Sequence, residues 1–160
     1  MTIQAGDTLP SGVFGVMTDA GPGAISTEEL FDGKKVVLVS VPGAFTPTCS
    51  ASHLPGFVGQ ADALFARGVD TVACMSVNDV FVMDAWGKDQ EVEGKVTMLA
   101  DGNGEYAKAL DLEMDGSAFG MGTRAKRFAM IVDDGTVTHV AIEAPGQFEV
   151  SKAESILDVL

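Results

Sequence analysis

Residues Lys35 to Val41 form a short apolar block, rich in β-branched side chains, that ends abruptly at Pro42-Gly43. This pattern predicts a strand, and eight residues after its last member, Val41, the chain reaches a cysteine in Pro42-Gly-Ala-Phe-Thr-Pro-Thr-Cys49. A helix is predicted to start at Pro47, since proline suits a first helical position whose N–H has no partner in any case. Thr46 then falls at the N-cap and Cys49 three positions inside, so the Thr46 hydroxyl is expected to accept from the Cys49 N–H. Unpaired N–H groups and the positive end of the helix dipole favour a thiolate at that place, and the thiolate is the reactive form of cysteine. The junction therefore reads as a redox or nucleophilic centre.

The rest of the chain alternates strands and helices. Gly12 to Met17 is a weak strand, part of a hairpin closed by Ala20-Gly-Pro-Gly23, and Ser26-x-x-Glu29 has capping-box spacing for a short helix to Phe31. Pro55-Gly56 is expected to interrupt the Cys49 helix, which resumes as the stripe Phe57, Val58, Ala61, Leu64 and Phe65 and stops at Gly68. Asp70 to Val77 and Lys95 to Ala100 read as strands, and the stretches from Asn78-Asp79 to Gly87 and from Glu105 to Leu110 as helices. Arg127 to Val132, Asp133-Asp-Gly135 and Thr136 to Glu143 carry a hairpin signal, and Ser151-x-x-Glu154 opens a terminal helix. This order fits an α/β fold, a mixed sheet flanked by helices, in a single domain spanning residues 1–160. The thioredoxin-like fold is one of several arrangements that satisfy it.

Composition narrows the chemistry. A formal charge of −13 argues against nucleic acid as partner, because phosphates need clustered Lys and Arg. No charged-then-apolar leader and no apolar run of membrane-spanning length is visible, so the cytoplasm is the simplest location, although a removed transit peptide would leave the same mature sequence. In so acidic a chain a thiolate needs local positive help, and two of the three arginines lie in Arg124-Ala-Lys126-Arg127. Arg127 shares a strand face with Ala129 and Ile131, where a guanidinium needs an acceptor unless the strand end is exposed. The two cysteines match neither a zinc pattern nor a secreted disulfide framework. Cys74, central in a strand-like run, reads as a small buried hydrophobe. His53 follows Cys49 by one helical turn, so a Cys/His dyad has to be weighed, whereas His139 in an alternating strand reads as structural.

Pro42, Thr46 and Cys49 match the Pro-x-x-x-Thr-x-x-Cys pattern of peroxiredoxins, and Pro42 to Phe57 resembles the type II, or fifth-subfamily, branch of these thiol peroxidases. Val72 to Asp79 and Gly122 to Met130 extend the resemblance over nearly the whole chain. It implies a thioredoxin-like fold and selects it from the arrangements above. It further implies that Cys49 is the peroxidatic nucleophile, that Arg127 faces it, that the Pro42 ring shields it, and that Thr46 with the Thr48 and Cys49 backbone N–H groups holds the peroxide. The apolar surroundings of Phe45, Phe119, Phe128 and Trp86 read as core or subunit contact, with Phe45 also a rim that admits alkyl hydroperoxides.

An ordinary cysteine is about 5–10% thiolate near neutral pH. Full ionisation therefore gains only about an order of magnitude in rate, and positioning and charge stabilisation must supply the rest. The resemblance implies no metal, haem or flavin cofactor, a hydroperoxide substrate, and a thiol reductant, with glutathione/glutaredoxin favoured over thioredoxin. A homodimer is expected on the same ground. Relatives of this branch that use a second cysteine near the C-terminal end have no counterpart in Gly146 to Lys152, which leaves Cys74 as the only internal candidate to resolve oxidised Cys49. A mid-strand cysteine is poorly placed for a disulfide that demands Cα atoms within about 7 Å. Two other readings stay open here: a non-catalytic thiol sensor or binding module on the same fold, and a cysteine hydrolase.

Overall fold

The computed structural model describes residues 1–160. Nine strands and five helices run in the order β1 (Val13–Thr18), β2 (Gly21–Ser26), α1 (Thr27–Phe31), β3 (Lys35–Ser40), α2 (Leu54–Ala66), β4 (Thr71–Ser76), α3 (Val80–Asp89), β5 (Thr97–Ala100), α4 (Glu105–Ala109), β6 (Glu113–Asp115), β7 (Thr123–Ala125), β8 (Phe128–Asp133), β9 (Thr136–Ile142) and α5 (Ala153–Val159). Seven strands form one sheet in the order β2-β1-β5-β4-β3-β8-β9. Strands β3, β4 and β5 are parallel, as helical crossovers require, while β8 returns antiparallel beside β3 and β9 beside β8. The mixed sheet flanked by helices is the one expected.

Strand alternation divides the core in two. Val36 and Leu38 of β3, with Phe128, Met130 and Val132 of β8, face α1 and α4 in a cluster that includes Phe14, Phe31 and Tyr106. Val37 and Val39, with Ala129 and Ile131, face the opposite way and pack with Leu54, Phe57 and Leu64 of α2, Trp86 of α3 and Ile156 of α5. Both cysteines belong to this second layer. The face that the sequence pattern assigns to Arg127 is therefore the face that carries Cys49.

Local signals act as anticipated at several joints. Ser26 Oγ accepts from the Glu29 N–H at 3.1 Å and the Ser26 N–H reaches Glu29 Oε1 at 3.2 Å, completing the capping box. Asp79 caps α3 by accepting from the Val82 N–H at 2.8 Å. The β8–β9 turn places Asp134 and Gly135 at φ of 50° and 80°, the paired positive values of a hairpin turn whose twist matches its strands.

Three expectations are corrected. Pro55-Gly56 does not break the helix: Cys49–His53 form a π-helical turn that runs directly into α2, with the Leu54 N–H bonded to the Cys49 carbonyl. Proline lacks a donor and crowds the carbonyl one turn back, and the wider turn relieves that crowding. Ser151 does not cap α5. Lys152 holds the cap position without a side-chain bond, because the Ser151 hydroxyl is engaged by Glu143 at 2.7 Å. Residues 113–125 supply a separate two-stranded sheet, β6 with β7, where the sequence signalled no element.

The helix that presents Cys49 carries an unused reserve of stability. Gly59 lies inside α2, is exposed, and a Cβ there would meet nothing within 4 Å. Gly59→Ala should raise the unfolding free energy by about 0.5–1 kcal/mol, while Leu64→Ala on the buried face should lower it by about 2–5 kcal/mol. Urea denaturation of the two variants beside the parent checks both signs.

Candidate active site

The end of β3, the start of β8 and the first turn after Pro47 meet at one edge of the sheet, and the register decides what meets. Ser40 pairs with Phe128, so the residue before Phe128 lies beside the loop that follows β3. That residue is Arg127, and its Nη2 donates to Cys49 Sγ at 3.1 Å across 78 positions of sequence. Cys49 itself is fully buried.

Arg127 is only half of the arrangement. Its Nη1 lies 2.8 Å from His53 Nδ1, and His53 Nε2 lies 2.9 Å from the Ser151 carbonyl oxygen. Donor chemistry fixes the protons. A carbonyl can only accept, so Nε2 carries the hydrogen; a guanidinium can only donate, so Nδ1 is the bare nitrogen. His53 is therefore neutral, and it is fully buried; burial first, and the Arg127 charge second, push its imidazole down from 6.5 to about 4. The weighed Cys/His dyad is not formed: the ring turns to the guanidinium instead of the sulfur. Its two nitrogens are both spent, which leaves none to shuttle protons for a hydrolase.

Aromatic rings enclose this network. Phe57 and Phe148 flank the imidazole, with centroids 5.6 Å and 5.0 Å from it. The Phe148 ring also receives Arg127 at 5.8 Å and Lys152 at 5.5 Å, close enough for cation–π attraction.

The loop before the helix is pinned by backbone and side-chain bonds. Thr46 Oγ1 donates to the Gly43 carbonyl at 2.7 Å, and the bond from the Cys49 N–H to this hydroxyl that the N-cap pattern predicted is not made. The tight turn is the reason: Phe45 sits at φ 64°, which folds the Thr46 hydroxyl back over Gly43. With its proton committed, the hydroxyl keeps its lone pairs for a neighbour. The N–H groups of Thr48 and Cys49 have no acceptor within the chain. The Ala44 N–H donates to Asn78 Oδ1 at 2.9 Å, which also accepts from Ser76 Oγ at 2.6 Å. Gly43 is needed for close approach, since a Cβ would meet Arg124 Nη1 and Thr46 Cγ2, each at 3.1 Å. On the helix side, Trp86 Nε1 donates to Ser50 Oγ at 3.0 Å.

The residues singled out from sequence separate cleanly. Cys49 and Arg127 come together through the Nη2–Sγ contact, while Pro42 and Thr46, both half-buried, lie in the loop that leads to the cysteine. Phe45 stands 51% exposed with its ring 6.4 Å from that of Trp86, and Phe119 is 82% exposed, whereas Trp86 and Phe128 are core. Cys74 is buried in mid-strand between β3 and β5, and burial, followed by its proximity to Cys49, pushes its thiol far above the ordinary range. His53, Asn78, Ser151 and Phe148 belong to the site without having been marked for these roles. Only His53 left a usable signal, its one-turn spacing from Cys49.

The Redoxin family model matches residues 4–157. Peroxiredoxin-2C of Oryza sativa subsp. japonica is 50% identical over 159 residues, covering 99% of this chain and 98% of its own, and Peroxiredoxin-2D of Arabidopsis thaliana is 46% identical over the same span. Among solved structures, reduced Prx3 in complex with hydrogen peroxide from Vibrio vulnificus superimposes with a TM-score of 0.95 at 53% identity, covering 99% of each chain. A buried cysteine at the head of a helix, an arginine donating to its sulfur and full-length similarity to these proteins agree with one another, and the chain belongs to the peroxiredoxins, in their type II branch.

Proposed function

We propose that this thiol peroxidase uses Cys49 as the peroxidatic nucleophile, a reading carried by the 3.1 Å contact between Arg127 Nη2 and Cys49 Sγ. The thiolate attacks the terminal oxygen of a hydroperoxide. An S–O bond forms as the O–O bond breaks, the sulfur becomes a sulfenic acid, and the departing oxygen takes up a proton and leaves as water or an alcohol. Arg127 stabilises the charge that moves onto that oxygen. The free N–H groups of Thr48 and Cys49 donate to the peroxide, and Thr46, its own proton held by Gly43, accepts the peroxide hydrogen. The peroxide-bound Vibrio vulnificus relative supports hydrogen peroxide as a substrate, and exposed Phe45 supports access for alkyl hydroperoxides.

For the return step we propose an external thiol, glutathione with glutaredoxin. The support is the position of Cys74: it lies in mid-strand, paired with Val39 on one side and Met98 on the other, so its backbone cannot shift to meet the geometry of a disulfide with Cys49 without opening the ladder. The thiol is also held protonated by burial, which makes it a poor attacker of a sulfenic acid.

Cys49→Ser should abolish peroxidase turnover with the fold intact, and Arg127→Lys should lower the second-order rate with hydrogen peroxide by about 10–100-fold despite keeping the charge, because the planar fork is lost. Stopped-flow measurement decides, and normal turnover by Cys49→Ser would end the assignment.

Intact mass spectrometry after one equivalent of peroxide tests the return step. Cys49 should carry a sulfenic acid without added thiol and a mixed disulfide with glutathione, and Cys74→Ser should keep most glutaredoxin-supported turnover. Rapid, stoichiometric Cys49–Cys74 disulfide formation without any small thiol would sink the external route.

The neutral His53 also sets an acid dependence. Its pKa is about 4 when folded and 6.5 as the reference, so between these values the unfolded chain binds the extra proton. Stability from burying the neutral ring is then complete above pH 6.5, declines as pH falls, and is lost to the extent of about 3 kcal/mol by about pH 4. Between about pH 7.5 and about pH 5 the parent should lose about 2 kcal/mol more unfolding free energy than His53→Asn, measured by urea denaturation. Equal slopes would show that the ring takes up its proton in the folded state as it does in the unfolded chain.

A further inference from the structure

Glu143 follows β9 and is 93% buried, with no cation paired to it. Its Oε2 accepts three hydrogen bonds from a single short segment: the Glu149 N–H at 2.7 Å, the Ser151 N–H at 2.9 Å and the Ser151 hydroxyl at 2.7 Å. Burial alone would raise its pKa, but these donors outweigh it and hold the carboxyl below the usual carboxylate range. The Glu143 N–H in turn bonds to the carbonyl of Arg127 itself at 3.0 Å. The segment so gathered carries the two groups that bear on His53, the Ser151 carbonyl and the Phe148 ring.

We propose that Glu143 is a positioning residue of the peroxidatic site. By fixing residues 149–151 it aims the Ser151 carbonyl at His53 Nε2, which selects the tautomer whose bare Nδ1 accepts from Arg127 Nη1, which leaves Nη2 directed at Cys49 Sγ. Every link has one permitted direction: the carboxylate and the carbonyl only accept, the guanidinium only donates, and the imidazole is forced between them. Without the carboxylate the Ser151 carbonyl is no longer held in place, both tautomers become available, and the protonated Nδ1 form repels the guanidinium. The inference rests on the roles given above to Cys49 and Arg127, and it adds an anchor that touches neither peroxide nor sulfur.

The test uses the full-length chain with hydrogen peroxide as substrate. Glu143→Ala should slow the second-order reaction by about 10–100-fold, the penalty typical of misaiming a reacting group, and Glu143→Gln, which keeps one accepting oxygen, by less. Nitrogen NMR of the imidazole should show a single Nε2–H form of His53 in the parent and a mixture of tautomers in Glu143→Ala, a change that a merely structural role would not produce. In a His53→Asn background, Glu143→Ala should add less than about twofold, because the chain of bonds is already cut. A parental rate for folded Glu143→Ala, or its full loss repeated in the His53→Asn background, would overturn the proposal. Should Glu143→Ala fail to fold, Glu143→Gln decides alone: a parental rate with an unchanged tautomer rejects the role. Cys49→Ser is the separate control, since activity in that variant removes the peroxidase reading whatever Glu143 does.

Discussion

A guanidinium that cannot give up its charge has been placed beside an apolar layer and given a neutral acceptor. That single constraint organises the site. The only ion pairs in the molecule join Lys88 to Asp84 and Lys95 to Asp62, both on the surface and far from Arg127 in the chain. A carboxylate beside Arg127 would satisfy its donors at the price of cancelling its field. An uncharged imidazole satisfies one arm and cancels nothing, so the positive charge stays available to the sulfur and to whatever oxygen develops charge near it. The burial of His53, the two flanking phenyl rings and the carbonyl of Ser151 all follow from keeping that ring uncharged and correctly turned.

The scaffold meets this need with ordinary devices. Strand alternation selects the face, the β3–β8 register selects the depth, and the π turn over Cys49–His53 sets the sulfur and the imidazole toward one guanidinium. An α-helical turn and a π turn of the same sequence orient residues four apart differently, so the widened turn matters to the chemistry as well as to Pro55. Shape and charge are thus set by the same few residues.

Much of this was legible in the sequence, and the illegible part has a physical pattern. The strand before Pro42, the helix starting at Pro47 and the face shared by Arg127, Ala129 and Ile131 follow from local signals: an apolar block, a proline suited to a first helical position and strand alternation. Thr46 was placed correctly, but its hydroxyl partner was not, because the positive φ of Phe45 is set by the packing of the loop and not by composition. The strands β6 and β7 are three residues each and mostly polar, too short to show a period. His53 and Ser151 act across 74 and 98 positions, through bonds that exist only once distant segments meet, and Glu143 acts across 8 positions of irregular loop that carries no period to read. The helix break expected at Pro55 failed for a related reason: a proline forbids the α turn, and the chain adopted a different helix instead of none.

The distance in sequence between Cys49 and its partners gives the site a time of birth. A ribosome releases this chain from the N-terminus, and β3 with the Cys49 turn emerges long before β8, β9 and the segment that ends at Ser151. Until β8 pairs with β3 and the segment that ends at Ser151 docks on His53, no guanidinium stands next to the sulfur and no carbonyl orients the imidazole. The growing chain therefore carries its most oxidisable atom through synthesis without the groups that make peroxide react there. Completion of the sheet and arming of the thiol are the same event.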